Sequence, residues 1–289
     1  MARFKKIAII GVGLIGGSIG LAIKKRKIAG EVTGIFRRET TLKKALKCKA
    51  VDTATMSIAD GVNGADLVIV ASPVHSIPGI IKEAARYAKK GAIITDAGST
   101  KAWIVSMAEK AMVKSRRIHF VGSHPMAGSE HAGVEYASAD LFEKSPCIVT
   151  NSAMTDRISL NKMIKFWSSL GAMVKVMSPD SHDKSVSLIS HMPHIIAFAL
   201  AGSVPLRELK YAAEGFKDTT RVASSDPELW ADIFLTNRRE ILKAGDLFEG
   251  YYKGILKAIS KGDHKKTVNF LKRAKLKRDA LSSDGKERH

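Results

Sequence analysis

The stretch Gly122-Ser123-His124-Pro125-Met126-Ala127-Gly128-Ser129-Glu130 follows the apolar run Ile118 to Val121. A histidine just past a strand end, among small residues and a proline, sits where open α/β sheets bind ligands, and it exchanges a proton near neutral pH. His124 is the candidate catalytic base, although a loop histidine capping a turn would read the same way. A second constellation is Ser190-His191-Met192-Pro193-His194, with His182 upstream. His191 and His194 share a helix face, whereas His182 and His191, nine apart, fall out of phase on one straight helix. Substrate hydrogen bonding or a polar structural seam is therefore expected there, and metal binding is not. A third is the run from Gly215 through Asp218 and Arg221 to Trp230. Asp226-Pro227-Glu228 inside it is a helix start, and Arg221 on the polar approach can clamp a carboxylate bidentately or close a salt bridge with Asp218.

These residues need elements to hold them. Phe4 to Ile10 is a short apolar run, followed by Gly11-Val12-Gly13-Leu14-Ile15-Gly16-Gly17-Ser18 and an apolar helix to about Lys25. Strand, G-x-G-x-x-G and helix in that order predict a dinucleotide site. Gly11 permits the turn, Gly13 the approach of a pyrophosphate to the N–H groups opening at Leu14 and Ile15, and Gly16 the close packing of helix on strand. The next strand, Val32 to Phe36, ends in Arg37-Arg38-Glu39-Thr40 instead of the acid that takes ribose hydroxyls in NAD sites. Two guanidinium groups suit a ribose phosphate, so NADP is the favoured cofactor; as ordinary surface charges they would leave NAD in place.

The alternation continues through a helix at Thr40 to Lys47, a strand at Asp66 to Ala71, a helix at Pro78 to Ala88 and a strand at Ala92 to Thr95. The strand exits at Ser72-Pro73 and Gly98-Ser99 then join the glycine loop at one sheet edge. Ser99 reads as a hydroxyl donor to substrate or as a helix N-cap. Pro146 to Thr150 and Met173 to Met177 read as two further strands around a helix at Asp156 to Leu170. From Ser178 only helical periodicity remains: Asp180 to Ser203, Arg207 to Ala213, Asp226 to about Phe248, and Tyr251 to Ala280 with breaks. The change near residue 177 marks the expected domain boundary.

The 289 residues are 45% hydrophobic and 26% charged, enough for two modest cores. No apolar run is expected to approach membrane-spanning length, and Met1 to Lys6 leads straight into a strand, so a cytoplasmic protein is expected. Cys48 and Cys147 suggest neither a disulfide framework nor a cysteine metal site. A net charge of +19 raises nucleic-acid binding, but the lysines are spread along every amphipathic segment and concentrate only at Lys24 to Lys27 and from Lys261 to His289. Most of this charge reads as solvated surface that also attracts small anions, and nucleic acid is not the expected partner.

Four motifs in order, Asp-Ala-Gly-Ser-Thr-Lys at 96–101, Gly-Ser-His-Pro-Met-Ala-Gly-Ser-Glu at 122–130, Ser-His-Met-Pro-His at 190–194 and Gly-Phe-Lys-Asp-Thr-Thr-Arg at 215–221 with Trp230, resemble the prephenate/arogenate dehydrogenases of tyrosine biosynthesis. The resemblance implies an α/β Rossmann-type domain, residues 1–177, and an all-α dimerisation domain, residues 178–289, with the site in the cleft between them. It matches His124 to the base that takes the proton of the substrate ring hydroxyl, Ser99 to a serine orienting it, and His194 to a substrate-site histidine. Arg221 matches the arginine that binds a substrate carboxylate, with Glu130, Asp218, Trp230, His182 and His191 nearby. No chorismate mutase segment is expected ahead of Phe4, so the monofunctional form is implied, as a homodimer acting on prephenate or arogenate. The alternatives are another NADP-dependent dehydrogenase of Rossmann-plus-helical build and a non-enzymatic NADP sensor.

Overall fold

The computed structural model describes residues 4–112, 118–128 and 131–283. Strand β1 (Phe4–Ile10) turns at Gly11 into α1 (Leu14–Lys25). Gly11 has φ +90°, and a Cβ there would stand 2.5 Å from the Ala71 carbonyl oxygen, so the turn requires glycine. A Cβ at Gly16 would stand 2.1 Å from the Gly11 carbonyl oxygen, which is how closely the helix packs on its own turn. The chain continues through β2 (Ala29–Ile35), α2 (Glu39–Lys47), β3 (Thr53–Thr55), α3 (Ile58–Val62), β4 (Leu67–Val70), α4 (Ile77–Tyr87), β5 (Ile93–Asp96), α5 (Ala102–Met112) and β6 (His119–Val121). These six strands form a parallel sheet in the order β3-β2-β1-β4-β5-β6. The order reverses between β1 and β4, so the crevice at their carboxyl ends is the place where such sheets bind ligands.

The near-continuous apolar runs of β1 and β4 follow from burial on both faces. Ile7, Ile9, Leu67 and Ile69 join one core with α1 and α2, while Ala8, Ile10, Val68 and Val70 join another with α4 and α5.

After β6 the chain enters a second, smaller sheet of β7 (Ser123–Pro125), β8 (Pro146–Thr150) and β9 (Met173–Met177), with α6 (Arg157–Ser169) between the last two. The Asp156 side chain caps α6 by accepting from the Ser159 N–H at 2.8 Å. His124 is therefore a strand residue, paired antiparallel opposite Ile148, and not the loop residue that its neighbours suggested. The reason is tertiary: Ser123 N–H donates to Asp96 at 3.2 Å and Met126 N–H to the Pro146 carbonyl at 2.8 Å, which holds the segment extended.

The remainder is helical: α7 (Pro179–Val186), a π-helical turn Ser187–His191, α8 (Met192–Ser203), α9 (Glu214–Thr220), α10 (Pro227–Thr236), α11 (Arg238–Ser260) and α12 (His264–Ser283). Three expectations are corrected here. Arg207 to Ala213 is a 3-10 turn, Leu206–Tyr211, with none of its side chains buried to hold an α-helix. The helix expected from Asp226 to Phe248 breaks at Asn237, and the chain is continuous through Gly250 until Ser260. Against the expectation that no apolar run approaches membrane-spanning length, Pro179–Ser203, 25 residues, is long and apolar enough to cross a bilayer by length and composition alone; here it carries the buried polar residues His182, Asp183 and His191. By internal contacts the chain forms two compact units, one up to Arg238 and one from Arg239.

Candidate active site

The glycine loop presents the N-terminus of α1 without a side-chain cap, and a Cβ at Gly13 would meet nothing within 4 Å. Gly17 N–H bonds to the Gly13 carbonyl at 2.8 Å, so the N–H groups of Leu14, Ile15 and Gly16 stand in the uncapped first turn. Open space over free N–H donors at the positive end of a helix fits a pyrophosphate. Ser72 and Pro73 leave β4 beside this loop; Ser72 Oγ donates to the Ile10 carbonyl at 3.5 Å. Arg37 and Arg38 follow β2, both exposed, and among the described residues neither forms an ion pair.

His124 Nδ1 lies 2.8 Å from His182 Nε2, and His182 Nδ1 lies 2.7 Å from Asp183 Oδ1. The two rings meet edge to face, 5.0 Å between centroids. His182 reaches this position because Ser178 caps α7 by accepting from Ser181 N–H, fixing the first turn from which the histidine projects. The segment carrying His124 is tied to the main sheet from beneath: Thr95 Oγ1 donates to the Val121 carbonyl at 2.6 Å and lies 2.9 Å from Ser123 Oγ. With His124 Nδ1 engaged by His182, its Nε2 is the ring nitrogen left to meet a substrate.

His194 Nδ1 donates to the Ser190 carbonyl at 2.9 Å, and its ring stacks on Trp230 at 3.5 Å between centroids. His191 meets the other side of this group, edge-on to Trp230 at 6.1 Å, and its Nδ1 lies 3.1 Å from Asn237 Nδ2. Asn237 Nδ2 also donates to the Asp183 carbonyl at 2.9 Å, which is why the helix breaks at this residue. The π-helical turn changes the phase between His182 and His191, so the straight-helix argument that separated them does not apply.

The electrostatics keep these rings neutral. Burial first, then the neighbouring His182, Lys101 and His191, holds His124 well below the usual histidine range. Burial, with Lys101 and His191, does the same to His182. His191 is pushed down to about 4, mainly by burial and against the pull of Asp183. His194 is lowered by burial, opposed by its bond to Ser190 and assisted by the charge of Arg221. Lys101 and Asp96 are themselves fully buried and paired with each other; burial lifts the Asp96 carboxyl, while Lys101 and the N–H groups of Gly98 and Ser123 oppose that rise. A neutral imidazole with a free Nε2 can accept a proton across a wide pH range.

Arg221 opens a 3-10 turn directly after α9 and is exposed, near enough to His194 to act on its charge. Among the described residues it makes no ion pair with Asp218, which is exposed on α9. Ser99 does not cap α5; that helix is capped from far away in sequence by Asp183, which accepts from Lys101 N–H at 2.7 Å and Ala102 N–H at 2.9 Å. Glu130 lies outside the described residues. Sequence reasoning missed Asp96, Lys101, Asp183 and Asn237. An acid adjacent to His182 was a usable signal for Asp183, whereas nothing local marks Asn237.

Two family profiles match the chain. The profile of the prephenate dehydrogenase nucleotide-binding domain matches residues 19–176, and that of the prephenate dehydrogenase dimerization domain matches residues 178–273. A prephenate dehydrogenase of Bacillus subtilis (strain 168) is 37% identical over 285 residues, 95% of this chain and 76% of that protein. A cyclohexadienyl dehydrogenase of Zymomonas mobilis is 35% identical over 292 residues, 98% of each chain. Among solved structures, the prephenate dehydrogenase of A. aeolicus in complex with hydroxyphenyl propionate and NAD+ superposes with a TM-score of 0.89 at 34% identity, covering 96% of this chain and 98% of its own.

Proposed function

The chain belongs to the prephenate dehydrogenase family, and on that premise we propose how its residues perform the oxidative decarboxylation of prephenate in tyrosine biosynthesis. His124 Nε2 accepts the proton of the ring hydroxyl while hydride leaves the same carbon. When bound at the glycine loop, a nicotinamide dinucleotide supplies the hydride acceptor. The dienone so formed loses its ring carboxylate as carbon dioxide, and the bonding electron pair restores the aromatic ring of 4-hydroxyphenylpyruvate. The chemistry asks for positioning more than for a strong base, and a positioned histidine contributes about 10²- to 10⁴-fold.

The observation that carries this reading is the His124–His182 contact at 2.8 Å, which commits Nδ1 and leaves Nε2 for the substrate. Arg221 binds a substrate carboxylate, with His194, stacked on Trp230, hydrogen-bonding substrate through its own Nε2. Ser99, at the exit of β5, orients His124 against the nicotinamide. His191, Asp218 and Glu130 complete the substrate site. Gly11, Gly13, Leu14, Ile15, Gly16, Ser72 and Pro73 hold the dinucleotide. Arg37 and Arg38, exposed and free of ion pairs among the described residues, read a ribose phosphate, so NADP is the preferred cofactor. Arogenate, which carries an amino group in place of the side-chain keto group, is the alternative substrate.

Two copies pair through the helical segment. The match to a dimerization domain supports this, as do exposed apolar side chains such as Leu242, Leu247, Ile259, Leu271 and Leu276. A cytoplasmic setting suits the two free cysteines, Cys48 and Cys147. The nucleotide-binding domain ends at residue 177 and the helical domain begins at residue 178.

The test is turnover of prephenate and of arogenate, each with NADP and with NAD, followed by absorbance of the reduced cofactor. Turnover of prephenate with preference for NADP is expected. Preference for NAD overturns the role of Arg37 and Arg38, and absence of turnover in all four combinations overturns the reaction.

A further inference from the structure

We infer that Asp183 is the positioning residue that sets where the proton sits on the catalytic histidine. Its side chain is buried at the junction of two elements distant in sequence. Oδ1 accepts from Lys101 N–H at 2.7 Å and lies 2.7 Å from His182 Nδ1, and Oδ2 accepts from Ala102 N–H at 2.9 Å. The backbone is pinned as well, since the Asp183 carbonyl accepts from Asn237 Nδ2 at 2.9 Å.

The donors and acceptors leave one consistent arrangement. Burial lifts the Asp183 carboxyl, opposed by the N–H groups of Lys101 and Ala102 and by the charges of Lys101 and His191; with each oxygen accepting from one of those backbone N–H groups, the carboxylate stands here as an acceptor with no proton to offer. His182 Nδ1 must then be the donor toward Oδ1, and in a neutral ring Nε2 is left with a lone pair. That lone pair faces His124 Nδ1 at 2.8 Å, and two lone pairs at that distance would repel, so His124 Nδ1 carries the hydrogen. His124 Nε2 is thereby an acceptor. The order Asp183, His182, His124 transmits a proton position over two rings, and its anchor is the same carboxylate that caps α5. That helix starts just past the Gly98–Ser99 loop, so the proton position is tied to the nucleotide-binding sheet.

Charged and titratable groups face this chain of bonds from each neighbouring element. They are Lys101, paired with Asp96, from the end of β5 and the start of α5, His191 from the π-helical turn, with His194 of α8 acting on His191 in turn, and Cys147 from β8. Burial pushes the Cys147 thiol far up, so it stays neutral, and burial first, with Lys101 and His191 behind it, holds both rings below the usual histidine range. Asp183 is the acceptor in contact with His182 Nδ1, and among the described residues no other group takes that place.

The use of Nε2 as a base rests on the reaction proposed above; the proton positions do not. The experiment is long-range ¹H–¹⁵N NMR of histidine-labelled protein at neutral pH, comparing the parent with Asp183→Asn, alongside prephenate turnover with NADP. In the parent, His182 and His124 are both expected as Nδ1–H tautomers. In the variant, an amide that keeps its oxygen on Ala102 N–H presents its N–H₂ to His182 Nδ1, which must then accept, and the pair is expected to change tautomer. With it kcat should fall by roughly 10²-fold, as for a mis-protonated base, while KM for prephenate and Kd for NADP change by less than about threefold. A parent spectrum with the proton on His124 Nε2 overturns the inference. So does a variant that keeps both tautomers, whether or not it keeps kcat. If Asp183→Asn does not fold, the parent spectrum decides alone. Parent tautomers as stated without turnover of prephenate would sink the reaction and leave the inference standing.

Discussion

Replacing Lys101 by methionine tests the electrostatic frame beneath the site. Lys101 and Asp96 are both 0% exposed and paired, and Asp96 also accepts from Gly98 N–H at 2.9 Å and Ser123 N–H at 3.2 Å. Methionine matches the lysine stem in volume but leaves the carboxylate buried with two backbone donors and no counter-charge. Breaking a buried pair from one side costs about 3–5 kcal/mol, which at roughly 2–4 °C per kcal/mol lowers the melting temperature by about 6–20 °C. The sign with pH follows from burial, which already lifts the Asp96 carboxyl. Without Lys101 its folded-state pKa rises further above its unfolded value, so the folded variant binds more protons than the unfolded chain. Its stability is then greatest at low pH and is lost as pH rises through the folded pKa, and the deficit against the parent is larger at pH 8 than at pH 5. Thermal melts at both pH values measure this, and Asp96→Asn combined with Lys101→Met should recover at least half of the deficit at pH 8. A single variant within about 1 kcal/mol of the parent at pH 8, a deficit equal at both pH values, or a double variant no better than the single would refute the reasoning.

Other outcomes follow from the same geometry. Arg221→Ala should raise KM for prephenate by roughly 10- to 100-fold, the loss of about 1.5–3 kcal/mol of charge-assisted hydrogen bonding, with kcat changed much less; an unaltered KM removes Arg221 from the substrate site. Arg37→Ala with Arg38→Ala should raise KM for NADP by about tenfold or more while leaving NAD nearly unchanged, and equal effects on both cofactors would refute the phosphate reading. His191 is buried and its folded pKa is pushed down to about 4. The unfolded chain therefore binds its proton first, so stability is full above about pH 6.5 and declines as pH falls toward 4, by about 3 kcal/mol from this group. Urea titrations across that range measure the slope, and in His191→Asn the slope should flatten.

The dinucleotide half was legible because its signals are local. The glycine spacing needs only the turn that it makes, and the strands Pro146–Thr150 and Met173–Met177 appear at the residues where β-branched and apolar runs put them. What was not legible depends on contacts across the chain. The strand through His124 exists by pairing with Ile148 and by the Asp96 bond to Ser123, neither of which leaves a periodicity in three residues. The break at Asn237 interrupts a pattern that continues to read as helical, because the amide is drawn to Asp183 and His191. The π-helical turn inserts a residue that a 3.6-residue period does not register. Asp183 stayed hidden because its partners, the N–H groups of Lys101 and Ala102, lie 82 and 81 residues earlier. At the candidate site, the sequence marked the histidines and the arginine as candidates but not Asp183 and Asn237, which hydrogen-bond to two of those histidines.

The central claim is that His124 is the base, and its most direct measurement is His124→Asn assayed for prephenate turnover and, by fluorescence titration, for NADP binding. The account predicts kcat lowered by about 10²- to 10⁴-fold with the NADP dissociation constant little changed. A kcat within tenfold of the parent, or turnover and NADP binding lost together, would contradict it.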